Sequence, residues 1–380
     1  MFVDYVMDGR GYGEIGQGLA DVQFDPGMLR PYFDENGKKC VTLNTGEKKR
    51  DPETGEYYSI YEQRLQSDLK ANGIDSPVFN ATTLRKDEWI ELDRVVIRAA
   101  RQRLRAWSDL AAVSRLRLNG MSKTILEHES ISDPGQALVD MDALSEGHSD
   151  HPHLQLEAVP LPITHSSFHV SSRKLAVSRN SGTPIDTVMG ETSGRRVAEA
   201  VEQTLSGAVT GLTYGATPSG GLASTVFGYT NYTNRNTKTD MTAPTGSNGT
   251  TVLTEWLALR ELLFTDRFYG PYMAYTSDNY DQSLDDEFKT NSDRSLRERL
   301  RMIDGITDIR RLDFLTTDDV VVLVQMTPDV ARAVIGMPIT TVQWETKGGM
   351  QLNFKTMAIM VPQLRGDFND RCGIAHGTTS

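Results

Sequence analysis

Three histidines lie within six residues of one another, at His148, His151 and His153, and Asp150 stands between them. Imidazole side chains at this spacing can bind zinc or nickel when further ligands complete the coordination shell. The segment is polar, Pro152 interrupts it, and no second cluster in the sequence offers those ligands. We therefore interpret the histidines as part of an exposed loop, and we predict neither a metal site nor another cofactor.

A glycine pattern, Gly11, Gly13 and Gly16, matches the G-x-G-x-x-G fingerprint of dinucleotide-binding proteins. That fingerprint requires a helix immediately after it, because the helix N-terminus holds the pyrophosphate. Gly18 and Pro26 interrupt any helix at this position. We interpret the segment as part of an extended arm and not as a nucleotide site; a partly disordered N-terminus is the alternative.

Two pairs of adjacent acidic residues, Asp285-Asp286 and Asp318-Asp319, contain the carboxylates that acid–base or metal catalysis requires. Adjacent side chains diverge on a helix or a strand, so neither pair converges on one substrate. The sequence contains no P-loop, no G-x-S-x-G elbow and no H-E-x-x-H motif. We predict no catalytic residues and a protein that is not an enzyme. A soluble enzyme of unknown type stays open as an alternative, since an enzyme can lack these motifs.

The segment 86–107 has the clearest helical periodicity in the sequence. Projected at about 100° per residue, its apolar side chains share one face; they are Trp89, Leu92, Val96, Ala99, Ala100 and Trp107. Four arginines form a stripe nearly opposite: Arg94, Arg98, Arg101 and Arg105. Arg103 falls on the apolar side, where we expect it to pair with an acid or to extend to solvent. The stripe is either a solvated basic face or a surface for DNA phosphate or an acidic partner.

The elements around this helix are less regular. Residues 114–166 form a long excursion, with a strand-like stem over 114–126, a polar far end and a returning strand over 153–163. A connection of this length without a strong core is unusual in a compact domain. From the residues alone, the excursion is interpreted as a flexible surface insertion.

The sequence of the second half of the chain predicts a long helix followed by a compact α/β unit. Thr183-Pro184 combines a capping residue with proline at the first helical position, and the apolar periodicity after it predicts a helix over 184–210. The unit over 251–345 is predicted to contain helices 252–266, 280–289 and 292–303 and strands 271–276, 307–313 and 319–326. The run 320–324, VVVLV, suits a buried central strand.

A hairpin over 340–362 follows, and its predicted turn is Gly348-Gly349. The return strand has one polar side as far as Lys355 and is apolar on both sides from Met357. We predict that it passes from a half-exposed into a fully buried environment. We expect the half-exposed part to belong to the preceding α/β unit and the buried part to a second core beside the helix 184–210.

This hairpin and the residues after it, QLRGDFNDRCGIAH, resemble the C-terminal end of tailed-phage major capsid proteins of the encapsulin-like group. Three further regions support the resemblance by their order and spacing: 161–209, 268–289 with 295–315, and 318–345. The resemblance implies an α+β fold class, the Hong Kong 97-type phage capsid fold, and a shell-forming subunit without an active site. It also implies an N-terminal arm (1–85), an amphipathic helix (86–113), an extended loop (114–166), a peripheral domain (167–250) with spine helix 184–210, an axial domain (251–345), and a return strand with C-terminal tail (346–380).

The function that the resemblance implies is that of a major capsid protein, which self-assembles into the icosahedral shell around a viral double-stranded DNA genome. Its partners would be further copies in hexamers and pentamers, scaffolding, portal and decoration proteins, and packaged DNA without sequence specificity, but no membrane. Arg94, Arg98, Arg101 and Arg105 are expected to face the DNA. The expected location is the virion, after assembly in the host cytoplasm. The alternative is an encapsulin-type cellular nanocompartment shell that holds cargo enzymes.

Composition is compatible with this interpretation. The 380 residues carry a formal net charge of −11, which argues against nucleic-acid binding over the whole surface. The charge is compatible with a protein shell that encloses DNA and binds it weakly. No apolar run approaches the roughly 20 residues that span a bilayer, and the first residues do not resemble a signal peptide. Two cysteines, Cys40 and Cys372, make no disulfide framework and indicate a reducing compartment.

Overall fold

The computed structural model describes residues 30–50, 57–67, 84–118, 121, 123–132, 141–142, 151, 153–181, 187–209, 213–214, 224–245, 247–289, 294–315 and 319–379. The Gly11 to Gly16 pattern, His148 and Asp318 lie outside these residues. The strands are Tyr32–Phe33 (β1), Lys39–Arg50 (β2), Tyr57–Leu65 (β3), Arg115–Arg117 (β4), Ile125–Ile131 (β5), Leu154–Pro160 (β6), Thr164–Ser171 (β7), Thr213–Tyr214 (β8), Ser224–Thr225 (β9), Asn236–Lys238 (β10), Tyr272–Thr276 (β11), Ile306–Arg311 (β12), Asp319–Gln325 (β13), Ala331–Thr346 (β14), Gln351–Leu364 (β15) and Ile374–Thr378 (β16). The helices are Lys86–Arg103 (α1), Ala106–Val113 (α2), Ser172–Ser181 (α3), Val188–Ser206 (α4), Gly249–Thr265 (α5), Asp278–Ser283 (α6) and Leu296–Arg301 (α7).

A four-stranded sheet in the order β4-β14-β15-β7 is built around the C-terminal hairpin. Strands β14 and β15 pair antiparallel along almost their whole length, between residues 331–346 and 351–364. Lys347, Gly348 and Gly349 adopt positive φ angles of 55°, 64° and 83°. Glycine reaches this backbone region without a Cβ clash. The predicted Gly348-Gly349 turn is therefore confirmed.

Strand β15 passes from a half-exposed to a fully buried environment, as predicted. Along 351–355 buried and half-buried residues alternate, whereas every residue from 356 to 364 is buried. Phe354 packs among residues of α1, and Met360 packs among residues of α4. On the other face, Met357 and its apolar neighbours in β15 pack against Leu126 of β5 and Val159 of β6. Polar residues therefore line one side of β15 along 351–355, the part of the strand that no second layer covers.

Both parts of β15 belong to the four-stranded sheet, which corrects the expected division of the hairpin. The half-exposed part pairs with β7 instead of joining the α/β unit. Phe354 stacks on Phe168 of β7, with ring centroids 5.0 Å apart, and meets the edge of Trp89 of α1. Strand β14, expected within the unit 251–345, lies in the same sheet. The alternation of polar and apolar residues along β15 indicated how many faces of the strand are covered, but it did not indicate which elements cover them.

A five-stranded sheet in the order β10-β16-β13-β11-β12 forms the second layer. Its central strand is β13, and residues 320–324 are buried, which confirms the predicted central strand. Residues 374–378 insert as β16 between β10 and β13, so this unit includes residues far beyond 345. Helix α5 packs on the sheet through Trp256, Leu259 and Leu263. Helices α6 and α7 are shorter than the predicted 280–289 and 292–303.

The predicted helix 86–107 is in fact two helices, α1 and α2, separated at Leu104 and Arg105. Leu104 leaves helical geometry, with φ −80° and ψ 77°. A new helix begins next because the carboxylate of Glu202 accepts hydrogen bonds from the N–H groups of Ala106 (2.6 Å) and Trp107 (3.2 Å). The first N–H groups of a helix have no partner within the helix, so an external acceptor stabilises a helix start.

Helix α4 is the central packing surface for α1. Of the predicted range 184–210 the structure describes a helix from Val188 to Ser206, which ends at Gly207 with φ +94°. A glycine in this left-handed conformation is a common helix C-terminus. A Cβ at Gly194 would lie 2.9 Å from the carbonyl oxygen of Val96 in α1. The glycine therefore permits the close approach of the two helices.

Two antiparallel ribbons extend from these layers. Strands β5 and β6 pair over 125–131 and 154–160, and β6 confirms the predicted returning strand 153–163. The stem 114–126 is correct only in part, because β4 pairs with β14 and the ribbon begins at Ile125. The second, the N-terminal ribbon, is a three-stranded sheet in the order β1-β2-β3. Among the described helices, none combines the length and apolarity that crossing a membrane requires.

Candidate assembly site

The exposed face of helix α1 carries three of the four predicted arginines. Arg94, Arg98 and Arg101 are exposed and lie opposite the buried apolar side of the helix. Ile90 and Ile97 lie among them and are 58% and 40% exposed. The result is a mixed basic and apolar face of the kind that contacts another surface.

The fourth predicted arginine, Arg105, follows the end of α1 and precedes α2. Its guanidinium lies 4.0 Å from the carboxylate of Asp313. Arg103 pairs with Glu199 at 3.5 Å, so the expectation that it pairs with an acid is confirmed. The helix break therefore places Arg105 beside the five-stranded sheet and not on the helix that carries the other three.

The β5–β6 ribbon carries apolar side chains that the described part of the chain leaves exposed. Leu154 and Leu156 are 62% and 42% exposed, and alternate residues of a strand share one face. Closer to the body of the subunit, Leu126 and Val159 are buried against β15. A two-stranded ribbon alone is marginally stable in water. The far end of this ribbon therefore has the composition of a contact surface.

The N-terminal ribbon is anchored on helix α1. The guanidinium of Arg30 binds Asp93 and lies 4.6 Å above the ring of Trp89. Tyr32 and Cys40 are buried in the cluster that contains Trp89. Part of the expected arm 1–85 thus belongs to the subunit core.

Helices α2 and α4 meet the five-stranded sheet at a cluster of polar side chains that the sequence analysis missed. Glu202 of α4 is 1% exposed and caps α2. Asp109 of α2 binds Arg310 of β12 and accepts a hydrogen bond from the phenol of Tyr275, 3.3 Å away. The Tyr275 ring stacks on Tyr229, with ring centroids 5.8 Å apart. One signal was present: Glu202 is an acid at the edge of the apolar face of α4.

Burial perturbs the acids of this junction. Desolvation raises the pKa of Glu202 from 4.5 to about 7, although the N–H groups of Ala106 and Trp107 stabilise the charged form. Burial also raises the pKa of Asp109, against the lowering effect of Arg310 and of the Tyr275 hydrogen bond. Glu202 therefore exchanges its proton near neutral pH, within a contact between two layers of the fold.

The other residues considered for chemistry are dispersed. His151 and His153 are exposed, and within the described ranges no group of three or more His, Cys, Asp or Glu side chains could hold a metal ion. Asp285 forms an ion pair with Arg297, 2.7 Å away. Cys372 is a buried free thiol whose pKa burial raises to about 12, so it is protonated and unreactive at neutral pH.

The fold is shared with solved shell proteins. The virus-like particle from Pyrococcus furiosus is similar with a TM-score of 0.54 and 14% identity, over 76% of this chain and 98% of that one. The capsid of Myoviridae phage XM1 is similar with a TM-score of 0.51 and 11% identity, over 68% of this chain and 86% of that one. These likenesses confirm the predicted α+β, Hong Kong 97-type capsid fold.

Sequence comparisons point to a family without an assigned function. A search of curated proteins finds no match. Residues 80–377 match a family described as a family of unknown function, DUF6260. Because this match spans well over half of the sequence, the chain belongs to that family.

Proposed function

We propose that this chain is a phage major capsid protein, which self-assembles into the icosahedral shell around a viral double-stranded DNA genome. The observation that carries the proposal is the β5–β6 ribbon, which exposes Leu154 and Leu156 on a face that the described part of the chain leaves uncovered. A shell built from one chain needs such surfaces, because each copy must bind its neighbours through parts that it cannot bury alone. The shared fold with a virus-like particle and a phage capsid supports this use of the ribbon.

In this proposal the ribbon acts as the extended loop (114–166) and the N-terminal region (1–85) as an arm, and both contact neighbouring copies. The four-stranded sheet with α1 and α4 corresponds to the peripheral domain, and the five-stranded sheet with α5 corresponds to the axial domain. Each copy makes several weak contacts in hexamers and pentamers, and their combined strength holds the shell together. Scaffolding, portal and decoration proteins complete the set of partners, and the mature protein resides in the virion after assembly in the host cytoplasm.

The proposed inner surface contains Arg94, Arg98 and Arg101, with Arg105 beside it. Their contacts with DNA phosphate would be independent of base sequence and sensitive to salt. The net charge of −11 keeps the rest of the wall from binding the genome strongly. The protein acts by assembly, without a catalytic residue or a cofactor.

Electron microscopy of the purified protein tests the assembly role. The variant Leu154→Glu with Leu156→Glu is expected to give soluble, folded subunits and to lose closed shells. The matched control, Gln155→Glu in β6 with His153→Glu just before it, adds two charges on the opposite face and is expected to keep shells. Normal shells from the leucine variant would contradict the role of this ribbon face.

Deletion of residues 127–152 removes the outer part of the excursion while keeping its base. We expect a soluble subunit that forms no stable shell. Intact shells of normal stability from this deletion would refute the role assigned to the excursion.

A cellular nanocompartment shell is the second candidate, and the likeness to the Pyrococcus furiosus particle over 98% of that chain favours it. The contents of purified particles separate the two candidates. Nuclease-protected genomic DNA supports the phage shell, and DNA-free particles with a co-purified enzyme support the nanocompartment.

A further inference from the structure

Helix α2 links the helical layer to the edge of the four-stranded sheet. Its first N–H groups bind the carboxylate of Glu202 in α4. Just after its last residue, the carbonyl of Ser114 accepts a hydrogen bond from the N–H of Ala333 in β14, 2.9 Å away. The next residues form β4, which pairs parallel with β14, and the chain then continues to the β5–β6 ribbon. A movement of α2 would therefore be passed to the base of that ribbon.

The groups around Glu202 leave it without a cation of its own in the described part of the chain. The cation of the cluster, Arg310, binds Asp109 and also Asp308, at 3.1 Å. On α4 itself, Glu199 pairs with Arg103 at 3.5 Å. The remaining groups that face the cluster are Tyr275 from β11, Tyr229 from the segment before β10, and Arg105, whose side chain lies near Asp313.

An ionised Glu202 is therefore a buried negative charge held by neutral N–H groups, and it is close enough to Asp109 of α2 for the two charges to repel. Burying a carboxylate without a cation is costly, and protonation of one oxygen removes that cost while the other, carbonyl oxygen still accepts one of the two N–H hydrogen bonds. Separating α2 from α4 removes the cost as well, because water then solvates the charge. Protonation of Glu202 and separation of α2 from α4 are thus alternative ways to remove the free-energy cost of burying its charge.

We propose that Glu202 is a proton-controlled latch, which keeps α2 seated against α4 while its carboxyl group is protonated and lets α2 separate when the group is ionised. The latch couples proton uptake to the position of the β4 segment and of the ribbon base. It is a property of the single subunit, so it stands whether or not the chain builds a capsid.

Hydrogen exchange of the full-length protein tests the latch. Exchange is followed for peptides that cover α2 between pH 5 and 8.5, after correction for the intrinsic pH dependence of exchange. The opening constant of α2 is expected to rise up to about tenfold per pH unit from pH 5 to 7 and to level off above pH 7. Peptides that cover β11 and β13 open only with the whole fold, whose stability also falls with pH, so their opening constants are expected to stay at least tenfold below that of α2 at every pH. Equal opening constants in all peptides would indicate global unfolding alone and overturn the proposal.

Two matched substitutions on helix α4 locate the effect. Glu202→Gln removes the titration and is expected to reduce the pH-dependent rise in α2 opening at least tenfold. Glu199→Gln makes the same chemical change one turn away and is expected to retain the wild-type rise. An unchanged rise in Glu202→Gln would overturn the proposal, and if that variant does not fold, the comparison of α2 with β11 and β13 in the wild type decides.

Discussion

The indole N–H of Trp89 donates a hydrogen bond to the backbone carbonyl of Pro31, 3.2 Å away. This bond joins helix α1 to the first described residues of the N-terminal region, and the ring of the same tryptophan lies beneath the guanidinium of Arg30. One buried side chain thus serves both the core under β15 and the attachment of the arm.

Replacing Trp89 separates these two roles. Trp89→Ala is expected to lower the free energy of unfolding by about 3–5 kcal/mol, because it leaves a cavity in the core. Trp89→Phe keeps an aromatic ring in the core and leaves the Pro31 carbonyl without its donor, at a cost of about 1–2 kcal/mol. Urea denaturation measures both values. Trp344→Ala, at a residue 39% exposed, is the control and should cost less than about 1 kcal/mol. Equal losses for the two Trp89 variants would contradict this division.

Gly194→Ala tests the close contact of α4 with α1. Alanine in an exposed helix position is more favourable than glycine by about 0.5–1 kcal/mol. Here the added Cβ would lie 2.9 Å from the Val96 carbonyl oxygen, so we expect a loss of about 1–3 kcal/mol from overpacking. Thermal unfolding checks the sign, with Arg196→Ala as an exposed control on the same helix. A stabilised Gly194→Ala variant would show that the two helices can separate without cost.

The pKa of Glu202 predicts how stability depends on pH. Because the pKa is raised from 4.5 to about 7 on folding, the folded state holds its proton where the unfolded state has lost it. The free energy of unfolding is therefore expected to fall as the pH rises from about 4.5 to 7, by at most about 3 kcal/mol. The raised pKa of Asp109 acts in the same direction. Urea denaturation at several pH values measures this, and a stability that rises from pH 5 to 7 would contradict the assignment.

The exposed arginines of α1 are expected to set the salt dependence of DNA binding. Replacing Arg94, Arg98 and Arg101 by Gln should reduce the slope of log K against log salt for a random duplex by about 3, near 0.9 for each lost phosphate contact. The control replaces three exposed arginines elsewhere: Arg173, Arg196 and Arg299. Fluorescence titration with disassembled subunits gives the slope. Absent binding by the wild type, or an unchanged slope in the α1 variant, would contradict a DNA-facing role.

Features fixed by neighbouring residues could be predicted from the sequence. The Gly348-Gly349 turn depends on local backbone freedom, and the buried run 320–324 depends on continuous apolar composition. The apolar face of α1 follows from helical periodicity. The same periodicity correctly placed Arg94, Arg98 and Arg101 on the opposite face of α1. It did not place Arg105, which lies beyond the end of that helix.

Features fixed by distant residues could not be predicted. The break after Arg103 depends on the carboxylate of Glu202, which lies about a hundred residues away in the chain and acts only after folding. The same applies to the hairpin: its alternation was interpreted correctly, but the layer that covers it was assigned to the wrong unit. The junction of Glu202, Asp109 and Arg310 draws on three separate elements, and Asp109 and Arg310 do not stand out in their own segments.

The position of β16 has a consequence for the order of folding. Residues 374–378 fill the gap between β10 and β13, so the five-stranded sheet cannot close until a strand encoded late in the chain is present. Until then β10 and β13 each expose an unpaired edge, and the β13 edge belongs to an apolar strand prone to pair with other chains. During synthesis the nascent subunit therefore needs either rapid completion or a protective partner, and a chain that ends before residue 374 should aggregate instead of folding.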